Sequence, residues 1–153
     1  RNPLLLKIIP KEIKQKPSWL SYAFFGRISK KGTNFIRKVE SDTLSVTLRN
    51  TGDFHFAYDS IAPVVTPRNF SSGQAINGYR YLEIEAEDKE TGIKSFEGSI
   101  DGQWVLFEHE PKQNRFTFDT SDILLIPGVH TLEFEIEDLL GNKTKKTFSL
   151  TIN

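Results

Sequence analysis

The stretch GVHTLEFEIEDLLGNKTKKTFSLTIN, residues 128–153, decides how this chain folds. Within it Leu132, Phe134 and Ile136 alternate with Glu133, Glu135 and Glu137. Successive strand residues point to opposite faces, so a period of two sets an apolar row on a core and a glutamate row in water. The segment DLLGNK (138–143) then supplies turn chemistry, since Gly141 and Asn142 both tolerate positive φ. Phe148, Leu150 and Ile152 resume the alternation, and the whole predicts a β-hairpin. Its first strand has a near copy upstream: LEIEAED at 82–88 against LEFEIED at 132–138. Two such strands are expected at the centres of opposite sheets, each with its apolar row inward.

Working outward, the spacing is regular from residue 77 onward. Asn77–Gly78 precedes a strand predicted over 79–88, and a turn at 89–92 leads to one over 93–100. Asp101–Gly102 is the two-residue signal of a type I′ hairpin, with a return strand over 103–108. A short strand at 115–119 and a crossing loop at 123–128 reach the closing hairpin. Short strands every 8–12 residues, separated by polar turns, predict a sandwich. The predicted core is Leu82, Ile84, Ile93, Phe96, Ile100, Trp104, Phe116, Phe118, Leu132, Phe134, Ile136, Phe148 and Leu150.

Upstream, IAPVVTP (61–67) carries two prolines, which lock φ and withhold ladder donors. That fits an edge strand or a linker and excludes a central strand. Before it, LLLKII (4–9) reads as a short buried strand and KEIKQKP (11–17) as a basic connector. SWLSYAFFGRI (18–28) reads as an aromatic-rich strand, with further strands at 34–39, 44–48 and 54–58. The expectation is an all-β chain with residues 1–60 as a smaller β-rich segment and 61–153 as an immunoglobulin-like β-sandwich.

Composition narrows the function. The 153 residues include 20 basic and 20 acidic side chains, a balance that argues against a dedicated binder of nucleic acid or anionic membrane. Without cysteine there is no disulfide framework, thiolate metal site or cysteine nucleophile. The apolar run at 4–9 is too short to span a bilayer. The chain opens on Arg1 and has no methionine, which reads as a processed or excised product, one from which a signal peptide or catalytic partner domain could have been removed.

Three constellations invite chemistry. His55 and Asp59 have a zinc-ligand spacing, but on a strand i and i+4 lie about 13 Å apart, too far to share an ion. Calcium wants six to eight oxygens from a loop that wraps it. Only the strand ends Glu87–Asp88 and Glu137–Asp138 meet such loops, and pairing of the glutamate rows with Lys143, Lys145 and Lys146 accounts for the charge without a metal. Tyr79 and Tyr81 share parity with Glu83, so an outer face with two tyrosines and a carboxylate is the candidate for holding a sugar ring. Both tryptophans, Trp19 and Trp104, sit in predicted strands where burial is the default. No nucleophile elbow or glycine-rich phosphate loop appears, and neither a catalytic residue nor a cofactor is assigned.

The segments DSIAPVVTP (59–67), DKETGIKSFEGSIDGQWV (88–105) and GVHTLEFEIEDLLGN (128–142) together resemble the immunoglobulin-like module that follows lysostaphin-type zinc peptidase domains in Bacteroidetes envelope proteins. Ala62 stands where that family often has a proline, and TGDFHFAYD (51–59) is similar to the strand preceding the module. The resemblance implies an extracytoplasmic accessory region of a larger cell-wall enzyme, contacting peptidoglycan or another envelope protein. It carries over no catalytic residue.

Overall fold

The computed structural model describes residues 4–8, 18–30, 32–39 and 44–153. The connector read at 11–17 lies outside them, as does the side chain of Trp19. The chain divides into two compact units, Arg1–Ile61 and Ala62–Asn153.

In the first unit β1 (Leu4–Ile8) pairs antiparallel with β4 (Leu44–Leu48). A second sheet has the order β3-β2-β5, from β2 (Ala23–Ser29), β3 (Gly32–Lys38) and β5 (Phe54–Tyr58). Phe25, Leu44 and Val46 are buried together, and Phe25 stacks on Phe54 with centroids 5.7 Å apart. Two expectations need correction. Residues Ser18–Tyr22 form a 3₁₀ turn, so the strand begins only at Ala23. Leu4 and Leu5 are 61% and 70% exposed, so the first strand is not a buried one among the described residues. Among the described residues β1 pairs with β4 alone.

The second unit is a sandwich. One sheet runs β11-β12-β8-β6, built from β6 (Val64–Pro67), β8 (Tyr81–Glu87), β11 (Glu108–Glu110) and β12 (Arg115–Asp119). The other runs β10-β9-β13-β14-β7, from β7 (Gln74–Ala75), β9 (Ile93–Ile100), β10 (Gln103–Val105), β13 (Gly128–Asp138) and β14 (Lys143–Ile152). This is immunoglobulin topology: A, B, E and D in one sheet, C, F and G in the other, with β10 as C′. The first strand is split. Its β6 half lies at the edge of one sheet, as its prolines require, and its β7 half runs parallel to β14 in the other. Phe70, between the halves, is buried edge-on to Phe148.

The repeated motif falls where its pattern places it. Strands β8 and β13 are interior strands of opposite sheets, and Leu82, Ile84, Leu132, Phe134 and Ile136 are fully buried between them. Phe116, Phe118, Ile100, Phe148 and Leu150 complete the predicted interior, while Ile93 and Phe96 are partly buried against it. Val65, Ile76, Val105 and Phe107 join the core without having been predicted. The Asp101–Gly102 hairpin is a two-residue loop with φ of 51° and 80°, pairing Ile100 with Gln103 as type I′ demands.

Trp104 is the miss, at 60% exposure. It pairs with Ser99, which in turn pairs with Glu133, so its side chain belongs to the solvent row. Val105 and Phe107, one and three residues on, take the inward positions.

Candidate functional site

The two faces predicted to carry chemistry are outer faces of the sandwich sheets. On the four-stranded sheet, Tyr81 pairs with Asp119, Glu83 with Thr117 and Glu85 with Arg115. Tyr81 is 48% exposed, and the Arg80 guanidinium sits over its ring at 5.4 Å. Arg80 also donates to Asp119 Oδ2 at 3.0 Å, which raises the guanidinium pKa. Asp119 is held below the usual carboxylate range first by donors from Ser121 and then by Arg80. Glu83 accepts from Arg115 at 3.3 Å, and Arg68 approaches Glu85 at 3.7 Å.

Tyr79 does not join Tyr81 on that face. It precedes β8, is partly buried against the core, and its hydroxyl accepts from Gln74 Nε2 at 2.7 Å. Strand parity does not extend back to it because β8 begins only at Tyr81, after Gly78 at φ 78° and the bend at Arg80.

Two of the acids considered as metal ligands, Asp88 and Asp138, hold loops. Asp138 is fully buried, and its Oδ1 accepts from the backbone N–H groups of Leu140, Gly141 and Asn142 at 2.7–2.9 Å. Its Oδ2 accepts from Asn142 Nδ2 at 2.6 Å, so the side chain closes the loop between β13 and β14. Asp88 does the same at its own strand end, accepting from Thr91 N at 2.7 Å and Gly92 N at 2.5 Å. The loops are joined, because Leu139 N–H donates to the Gly92 carbonyl at 3.2 Å. Glu137 is paired with Lys94 at 2.5 Å and Lys143 at 3.6 Å, and Lys94 is the main reason its pKa is lowered. Glu87 is exposed at the end of β8. In the first unit, His55 is exposed with Nε2 at Thr33 Oγ1, whereas Asp59 is buried and accepts from Ile61 N–H at 3.0 Å. The pair is not drawn to one point.

What sequence reasoning missed on the outer face of the five-stranded sheet is the meeting of Trp104, Ser99 and Glu97 beside the glutamate row of β13. A shallow cleft of about 190 Å³ is lined by Glu97, Gly98, Ser99, Glu133, Glu135 and Lys145. Lys143 pairs with Glu135 at 2.8 Å and Lys145 with Glu133 at 3.0 Å. Glu97 stands directly across the strand from Glu135, like charge against like. Trp104 stands one strand further out, opposite Ser99. The register of β10 was the missing signal: once Asp101–Gly102 is a two-residue turn, Trp104 must share a face with Ser99.

These geometries define an all-β protein with an immunoglobulin-like sandwich. No family model matches the chain. Over 86 residues, 56% of its length, it is 33% identical to the uncharacterized protein YvnB of Bacillus subtilis (strain 168). The chain spans 6% of the length of that relative. Among solved structures it is similar to the fibronectin(III)-like modules of Clostridium thermocellum CbhA, with a TM-score of 0.44, 13% identity, and coverage of 99% of this chain and 86% of that one. A likeness to apo expansin of Clavibacter michiganensis has a TM-score of 0.38 and 11% identity, covering 86% and 70% of the two chains. Among the described residues, no helix is long and apolar enough to cross a membrane.

Proposed function

We propose that this chain is a non-catalytic accessory region, a spacer or docking module, of a larger protein working outside the cytoplasm. One observation carries the reading: the similarity to YvnB involves 86 residues, close to one sandwich in length, within a far longer protein. The acids that might have been catalytic or metal-binding support it, since Asp88 and Asp138 are engaged in holding loops. The finer assignment, contact with peptidoglycan or an envelope protein beside a zinc peptidase domain, rests on the motif resemblance in 59–142 alone.

The test pairs two assays. Purified chain is incubated with cell-wall sacculi and scored for released peptides and reducing sugar, and the parent protein is expressed with and without residues 62–153. No turnover by the chain, with wall retention of the parent reduced by the deletion, is the expected pattern. Turnover that follows the purified chain, or unchanged retention, would sink the reading.

The alternative was glycan binding through Tyr79, Tyr81 and Glu83. It is left with one ring, Tyr81, carrying Arg80 over it, and with a carboxylate already paired to Arg115.

A further inference from the structure

We infer that the outer face of the five-stranded sheet is a glycan-binding site, with Trp104 as the stacking platform and Glu97 as its principal hydroxyl acceptor. The inference goes beyond the accessory role proposed above and does not depend on it.

Two local departures from ordinary sheet chemistry meet here. Trp104 leaves 60% of its surface in water on a strand of three residues, and Leu106, two residues on, is 51% exposed. A lone exposed apolar side chain is unremarkable, but Trp104 stands directly across from Ser99, which lines a cleft. The second departure is Glu97 opposite Glu135, an arrangement that costs stability. Lysines answer the neighbouring acids, Lys143 at Glu135 and Lys145 at Glu133, but no ion pair to Glu97 occurs among the described residues. Places where local rules fail without a compensating structural gain are where function is expected.

The geometry fits one sugar ring. Trp104 is cross-strand from Ser99, and Glu97 lies two residues from Ser99 on the same face. Diagonal cross-strand neighbours are about 7–8 Å apart, so a ring stacked on the indole presents its edge hydroxyls to Glu97 and Ser99. Indole offers a broad, stiff apolar face to the C–H face of a pyranose. On β9 the side chains that line the cleft are those of Glu97 and Ser99, the outward residues on either side of the inward-facing Gly98.

The mixture of groups selects a hydroxylated ligand over a cationic one. Glu97, Glu133 and Glu135 accept, while Lys145 and the Ser99 hydroxyl donate. Sugar hydroxyls do both and satisfy the whole set. A basic peptide would be drawn to the carboxylates but repelled by Lys145 in the cleft and by Lys143 paired to Glu135 beside it.

The experiment is affinity electrophoresis of the purified chain through native gels containing laminarin, xylan, galactomannan or enzymatically solubilised peptidoglycan. Retarding gels are followed by calorimetry with the matching oligosaccharide. At least one glycan retards the wild type, Trp104→Ala weakens binding tenfold or more, and Glu97→Gln weakens it threefold or more. Tyr81→Ala leaves binding unchanged. Which gel retards separates a wall-derived glycan from a neutral polysaccharide, and either supports the site. Thermal melts confirm that each variant is folded, and Glu97→Gln alone decides the matter if Trp104→Ala is not. The inference is overturned if no glycan retards the wild type, if both site variants bind within twofold of it, or if Tyr81→Ala abolishes binding. None of these outcomes bears on whether the chain is a module of a larger protein.

Discussion

His130 Nδ1 lies 2.7 Å from Asp101 Oδ2, and its Nε2 lies 2.8 Å from the Ile126 carbonyl. Both ring nitrogens therefore face acceptors, an arrangement only the doubly protonated imidazolium satisfies. The Ile126 carbonyl, and then Asp101, raise the His130 pKa above 6.5. Asp101 is lowered below 3.8, first by the Thr131 N–H and then by His130. The link joins the tip of the β9–β10 hairpin to β13.

Stability should depend on pH accordingly. A raised histidine pKa contributes stability that is fully present below 6.5 and is lost as pH rises through the folded value. The lowered Asp101 contributes stability present above 3.8 and lost as pH falls through its folded value. Melting temperature is expected to decline as pH rises above 6.5, and His130→Gln should flatten that slope. Because the Asp101 side chain is 51% exposed, the effect is on the order of 1 kcal/mol at most. An identical slope in the variant would show that another group titrates.

Asp138→Ala should be the most damaging acid substitution in the sandwich. It strips the acceptor from three backbone N–H groups and the Asn142 amide at a fully buried position. Orphaned buried donors cost about 1–3 kcal/mol each, partly relieved by rearrangement, giving about 3–4 kcal/mol in all. Asp88→Ala, at a partly exposed strand end, should cost about 1–2 kcal/mol. Urea denaturation of both variants checks the order, and a larger loss for Asp88→Ala would contradict it.

How much of this was legible in advance follows from period two. Wherever a strand was long, as over 82–88 and 132–138, alternation fixed both its identity and its buried face. The Asp-Gly turn was equally plain, because few dipeptides tolerate two positive φ angles. Trp104 is exposed because the two-residue turn pairs it with Ser99 on the outer row, a register that outweighs the tendency of tryptophan to be buried. Tyr79 was misplaced because parity was carried through residues that are not strand. The loop-closing work of Asp88 and Asp138 had a signal, an aspartate at a strand end followed three or four residues on by glycine, but the pattern also fits simple turn composition. The cleft on the five-stranded sheet could not be seen, since it depends on which residues of three strands fall into one row.

Glu97→Lys should raise stability while removing the acceptor assigned to the glycan site. Replacing a like pair with Glu135 by an opposite pair is worth about 0.2–1 kcal/mol across an antiparallel ladder. The expected gain in urea midpoint should shrink in high salt, as an exposed pair is screened. A loss of stability would mean that Glu97 has a structural role.

Gly98→Ala tests how tightly the inner side of the same strand is packed. Gly98 pairs with Phe134 on one side and Val105 on the other. A Cβ at Gly98 would stand 2.3 Å and 2.4 Å from two ring carbons of Phe107. Phe107 cannot easily withdraw, since it meets Phe134 edge-on at 5.0 Å and lies 5.7 Å from Phe118. Overpacking of this kind costs about 1–3 kcal/mol. Phe107→Leu alone should also destabilise, by opening a cavity. The double variant should be less destabilised than the sum of the two, because the methyl fills space the smaller side chain vacates. A double-mutant cycle by urea denaturation measures the coupling, and strict additivity would mean that the strand shifts as a whole to accept the methyl.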